Sequence, residues 1–164
     1  MRGLADSKKL TEASREELYT EILRKSAAWA VAGASVAEID KLNILHASML
    51  AMTRAIEALP LTPHHCLIDG NRCPTVRHRC QAIVKGDALV QEISAASIIA
   101  KVVRDREMRS LHRRHPQYGF ERHKGYPTSE HLAAIGKHGV LREHRRSFGP
   151  VRRSLSDCVA AGER

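Results

Sequence analysis

Two short apolar runs, each closed by a turn and followed by one long helical run, constrain this chain more than any other feature. Cys66-Leu67-Ile68 ends on Asp69 and Gly70-Asn71, and Gln81-Ala82-Ile83-Val84 ends on Lys85-Gly86-Asp87. Runs this short, punctuated by glycine, read as buried strands. The stretch from about Glu92 to His115 is helical in period and apolar around much of its first three turns, which calls for burial. Strands alternating with helices predict an α/β domain.

The other segments keep the alternation. Thr11 caps a helix to about Lys25 with Leu18 and Ile22 on one face, and Ala28-Trp29-Ala30-Val31-Ala32-Gly33 reads as a short strand ended by glycine. Asn43 opens a helix in which Leu45, Met49, Met52, Ile56 and Leu59 fall at helical spacing before Pro60, a stripe expected in the core. Pro127 and Thr128 introduce a helix ending near His138-Gly139. With 164 residues, 43% of them hydrophobic, one domain is expected over 1–153, followed by a disordered tail over 154–164.

No apolar stretch is long enough to cross a bilayer, and Met1-Arg2-Gly3-Leu4-Ala5-Asp6 lacks the apolar core of a signal peptide, so a cytoplasmic protein is expected. Reduced thiols suit that location for Cys66, Cys73, Cys80 and Cys158, and of the first three one is expected buried and two in loops. The formal charge of +9 is unevenly placed: residues 1–60 are net neutral, 61–100 carry +1, 101–126 carry +5 and 127–164 carry +3. A one-sided basic surface attracts a polyanion through counterion release, although solvated helix faces show the same statistics.

Two acids stand out. Asp69 sits at the C-terminal tip of a strand, and Asp105 lies on a helical stripe with Ser94, Ile98 and Lys101. A strand-end acid facing a helix-borne acid suggests a divalent-metal site. By residue type alone, the readings of Asp69 as a cap on the turn at Gly70-Asn71 and of Asp105 as an exposed acid paired with Lys101 are favoured over a metal site. Asp87 in its turn and Glu92 in a first helical turn have structural readings.

Several phrases, taken in order, resemble ribonuclease HII: Asp6-Ser7-Lys8-Lys9-Leu10, Asn43-Ile44-Leu45-His46-Ala47, Leu67-Ile68-Asp69-Gly70-Asn71, Lys85-Gly86-Asp87, His123-Lys124-Gly125-Tyr126-Pro127-Thr128 and His144-Arg145-Arg146-Ser147-Phe148. The resemblance implies a ribonuclease H-like three-layer fold with a mixed sheet and a C-terminal helical segment. It also implies an endoribonuclease that degrades the RNA strand of RNA-DNA hybrids, or cuts ribonucleotide-containing duplex DNA, on the 5' side of ribonucleotides. Mg2+ or Mn2+ would serve as cofactor in two-metal hydrolysis, and a monomer is expected.

Family members begin with a strand carrying Asp-Glu-Val-Gly-Arg-Gly, and nothing upstream of Asp6 supplies it. The first two strands are therefore expected to be missing, unless Met1 is an internal methionine. Of the family's four acids, Asp69 and Asp105 are the matching catalytic and metal-binding positions. Lys8, Lys9, Lys124, Arg145 and Arg146 are the implied phosphate contacts, with Tyr126 stacking on a sugar. Two acids facing two divalent ions predict impaired hydrolysis; the alternative is a catalytically inactive nucleic-acid-binding remnant.

Overall fold

The computed structural model describes residues 10–162. The chain divides into two compact units, Met1–Gly33 with Ser48–Arg104, and Ala34–Ala47 with Asp105–Arg164. Helices α2 (Val36–Glu57) and α4 (Gln91–Arg114) each contribute to both.

In the first unit, α1 (Glu12–Lys25) begins at Thr11, whose Oγ1 accepts the Ser14 N–H at 3.2 Å. Glu12 lies in its first turn and Arg24 and Lys25 in its last, matching the helix dipole at both ends. Ile22 of α1 is buried against Ile98, Ile99 and Val102 of α4, with Leu18, Tyr19 and Leu23 packed around them. The apolar start of α4 is thus core, as its composition requires. Strands β1 (His65–Asp69) and β2 (Arg79–Ile83) pair in parallel with Cys66 opposite Cys80 and Asp69 opposite Ile83. The second strand, expected from Gln81 to Lys85, thus starts and ends two residues earlier, and Lys85 instead takes a left-handed conformation, φ 57°, at the start of the short α3 (Gly86–Leu89).

Among the described residues the sheet has these two strands only. The strand expected at Ala28–Gly33 is not formed: the segment alternates half-buried Ala28, Ala30 and Ala32 with exposed Trp29, Val31 and Gly33, but no neighbouring strand pairs with it. Its period is that of a strand, and a ladder needs a partner. A cavity of about 930 Å³ lies between this segment and β1, lined by residues such as Ala30, Met52, Ile56, Leu67, Ile93 and Ala96. Met52, Ile56 and Leu59 of the stripe expected in a filled core therefore border a cavity instead, and Leu45 is exposed. The sheet surface on which that stripe would pack is reduced.

In the second unit, α2 starts at Val36, seven residues before the expected position. Ser35 and Glu38 form a reciprocal cap: the Ser35 N–H donates to Glu38 Oε2 at 2.8 Å and the Glu38 N–H to Ser35 Oγ at 3.2 Å. Asn43 breaks the helix at φ 68°, ψ 167° and restarts it, its Oδ1 accepting the N–H groups of Leu45 and His46. The expected Asn43 cap is real; the helical segment before it was not foreseen.

Beyond α4 come a 3-10 turn (Pro116–Tyr118), α5 (Phe120–His123), α6 (Ser129–His138) and α7 (Gly149–Gly162). Thr128 Oγ1 caps α6, and Gly139 ends it at φ 82°. The core is Met108, Leu111, Tyr118, Phe120, Ile135 and Val151. Helix α7 occupies most of the segment expected as a disordered tail, because Val151 and Leu155, one turn apart, both reach this core.

Candidate functional site

Asp69 is the last residue of β1 and is exposed. Its Oδ1 accepts the Gly86 N–H at 2.9 Å, and the Gly70 N–H bonds to Ile83 O at 3.0 Å. The left-handed turn at Lys85 aims the Gly86 amide at the acid, and a Cβ at Gly86 would meet Ile93 Cδ1 at 2.6 Å. The Lys85-Gly86-Asp87 phrase thus orients Asp69 from the neighbouring strand. Asp87 and Glu92 lie in first helical turns, as their structural readings require.

Asp105 is only 2% exposed, flanked one turn away on α4 by buried Val102 and Met108. That burial removes its reading as a solvated helix acid, since an ionised carboxylate survives in such a place only with compensation. Asp69 belongs to the first unit and Asp105 to the second. Among the described residues, no group of three or more His, Cys, Asp or Glu side chains gathers at metal-binding spacing. Hard divalent ions need several oxygen ligands, and among the described residues no third such side chain joins Asp69 or Asp105 in a cluster. Cys66, Cys73 and Cys80 are free thiols; Cys80 lies on β2 rather than in a loop.

Lys124, Tyr126, Arg145 and Arg146 all fall in the second unit; Lys8 and Lys9 lie outside the described residues. Lys124 and Gly125 both have positive φ, 51° and 84°, and their turn leaves Tyr126 64% exposed. The Tyr126 N–H donates to His123 O at 2.8 Å, and the Thr128 N–H to Tyr126 O at 2.9 Å. Arg145 and Arg146 occupy a second turn, fastened by Asp40: its carboxylate accepts the Arg146 N–H at 2.9 Å, the Ser147 N–H at 2.9 Å and the Ser147 hydroxyl at 2.6 Å. Burial works against the charge on Asp40, yet the Ser147 and Arg146 hydrogen bonds and the nearby Arg145 hold its pKa below the usual carboxylate value. The Arg145 guanidinium carbon stands 5.3 Å from the Phe148 ring centroid.

What joins the two turns is a set of buried histidines that carried no assignment from the sequence. His123, His131 and His144 are 7%, 5% and 6% exposed. His131 Nε2 and His144 Nε2 are 3.1 Å apart, and the rings of His123 and His131 stack at 4.3 Å between centroids. Two of the three open phrases already singled out, His123-Lys124 and His144-Arg145; nothing in the spacing shows that they meet.

Comparison with known proteins fits this architecture. The ribonuclease H2 of Pyrococcus horikoshii OT3, known from its crystal structure, aligns with 94% of this chain and 81% of its own at a TM-score of 0.79 and 25% identity. The fold is ribonuclease H-like, with a reduced sheet and C-terminal helices. The family model described as ribonuclease HII matches residues 1–151. The ribonuclease HII of Chromobacterium violaceum is 63% identical over 157 residues, covering 94% of this chain and 78% of that protein. That of Cupriavidus pinatubonensis is 57% identical over 164 residues, covering 98% and 75%. The chain belongs to the ribonuclease HII family.

Proposed function

We propose that these 164 residues form the nucleic-acid-gripping part of a ribonuclease HII-type endonuclease, binding RNA-DNA hybrid or ribonucleotide-containing duplex as a monomer and hydrolysing it poorly by themselves. One observation carries the reading: Lys124, Tyr126, Arg145 and Arg146 lie on two turns of one unit fastened by shared buried groups, while no metal-ligand cluster forms among the described residues. Phosphate contacts from such cations set affinity and register. Tyr126 offers an exposed ring for stacking on a sugar or base.

The full family activity is cleavage of the RNA strand 5' of a ribonucleotide with Mg2+ or Mn2+. On this reading it needs further carboxylates beside Asp69 and Asp105, such as the acidic first strand that the resemblance implies. Those two acids would then be ligands for the ions, which stabilise charge on the transferred phosphate. The test is turnover of a labelled RNA-DNA hybrid by the purified chain in Mg2+ and Mn2+, beside a version extended upstream by an Asp-Glu-x-Gly-Arg-Gly strand. Binding by both and cleavage by the extended form alone is the expected result; comparable turnover by both would overturn the reading. In the extended form, Asp69→Asn should abolish metal-dependent cleavage and leave folding intact, measured by turnover and circular dichroism.

A further inference from the structure

The three buried histidines have a single consistent set of protons, because their backbone partners have fixed roles. His131 Nδ1 lies 3.0 Å from Tyr126 O, and a carbonyl can only accept, so the neutral ring carries its proton there. The Leu141 N–H donates to His144 Nδ1 at 2.9 Å, which places the His144 proton on Nε2. The 3.1 Å contact between the two Nε2 atoms is then a good hydrogen bond from His144 to His131. The Gly125 N–H donates to His123 Nδ1 at 3.2 Å, and His123 Nε2 donates to Tyr118 O at 2.7 Å. All six ring nitrogens are engaged, and each ring is neutral.

Any added proton turns an acceptor into a donor that faces another donor. At His144 it faces the Leu141 amide, at His131 the His144 Nε2–H, and at His123 the Gly125 amide. These contacts hold the backbone around Lys124, Gly125 and Tyr126, and through His144 they reach the turn bearing Arg145 and Arg146.

We propose that His123, His131 and His144 are positioning residues for nucleic-acid engagement: neutral and locked in one tautomer each, they set the Tyr126 turn and tie it to the Arg145-Arg146 turn, and their protonation releases both. This rests on the reading of Tyr126 and the two arginines as substrate contacts. Burial first, then the neighbouring His131, lowers the His144 pKa to about 4; burial first, then His123, lowers that of His131 against the pull of the Tyr126 carbonyl. The other titratable groups around the cluster are Glu143, which favours the His144 cation, His115, which opposes it, Glu130 on α6, whose carboxylate interacts with His123, Tyr118, whose ring centroid is 5.5 Å from that of His144, and His138 beyond Tyr118.

Nitrogen-resolved NMR of the histidine-labelled 164-residue chain tests the arrangement directly. At about pH 7.5, where unperturbed imidazole is neutral, the proton should sit on Nδ1 of His131 and on Nε2 of His123 and His144. A His131 proton on Nε2, or exchange between tautomers, would overturn the proposal.

The second arm titrates the chain with RNA-DNA hybrid and follows the Tyr126 ring resonances and Gly125 amide exchange. His131→Asn places an amide donor at the Nδ1 position and should keep the Tyr126 response, whereas His131→Gln, with circular dichroism showing it folded, should lose it. In that variant Gly125 exchange should rise roughly tenfold, the signature of a loosened local hydrogen bond. Acidification of the wild type should reproduce the Gln result, although added positive charge favours a polyanion. Equal behaviour of Asn and Gln variants, or a Tyr126 response independent of pH, counts against positioning. If hybrid binds at about pH 7.5 without perturbing Tyr126, the assignment of Tyr126 as a contact fails instead, and the tautomers and Gly125 exchange still decide the role of the histidines.

Discussion

At the scale of single residues, the second unit packs four polar rings, Tyr118, His123, His131 and His144, whose hydroxyl and ring nitrogens are all hydrogen-bonded. Tyr118 is 1% exposed, stacks on Phe120 at 5.5 Å, and donates its hydroxyl toward His138 O at 3.0 Å and Gly139 O at 2.8 Å, the C-terminal end of α6. Tyr118→Phe leaves those carbonyls without that donor and should cost about 1 kcal/mol in urea unfolding. The histidines make stability depend on acid. The pKa values of His131 and His144 lie below the ordinary value of 6.5 in the folded chain, so the unfolded chain binds more protons as pH falls below that value. Their contribution is complete above 6.5, declines as pH falls and levels off near the folded value, about 4 for His144. His144 alone accounts for about 3 kcal/mol over that range. Urea midpoints from neutral pH to pH 4 should show this slope, and His144→Gln should flatten it.

At the scale of elements, two features show how loops and edges govern this molecule. Asp40 on α2 ties down the Arg145-Arg146 turn across more than a hundred residues of sequence through three hydrogen bonds. Asp40→Ala should cost about 1–2 kcal/mol in thermal or urea unfolding and weaken hybrid binding by loosening the two arginines. The segment Ala28–Gly33 and strand β1 border an apolar cavity, and unpaired strand edges beside apolar surface invite non-native association. The chain should therefore bind the dye ANS and aggregate with concentration. An upstream extension that adds paired strands should suppress both, as read by dye fluorescence and light scattering; unchanged dye binding would show that the cavity is not where such strands go.

At the scale of the whole molecule, charge decides more than shape. The positive excess lies C-terminal to Pro60, and most of it falls in residues 101–164. Affinity for hybrid should fall steeply as salt rises, with a slope set by the number of phosphates contacted. Phosphate contacts carry no distinction between RNA and DNA, so the chain should discriminate poorly between RNA-DNA hybrid and DNA duplex, and competition at two salt concentrations checks both points. Strong preference for hybrid, or no salt dependence, would misplace the recognition surface. No helix among the described residues is long and apolar enough to cross a membrane.

Local pattern sufficed for the features that depend on neighbours in sequence: the Thr11 and Thr128 caps, the Gly139 stop, the strand ending on Asp69 and the buried face of α4 were all legible, because capping and periodicity act over a few residues. The Ser35-x-x-Glu38 cap is equally local, a capping-box pattern that stands beside the stronger Asn43 signal. Motif order also sufficed for the family. Tertiary structure alone decided what depends on distant partners. Ala28–Gly33 has a strand's alternation, yet becomes a strand only if another segment offers it hydrogen bonds. Asp105 is one of three acids on a basic helix, and only packing shows it buried. His123, His131 and His144 share no spacing that marks them as a group; the folds of α5, α6 and the turn after Leu141 bring their rings together, and burial, not sequence, lowers the pKa values of His131 and His144.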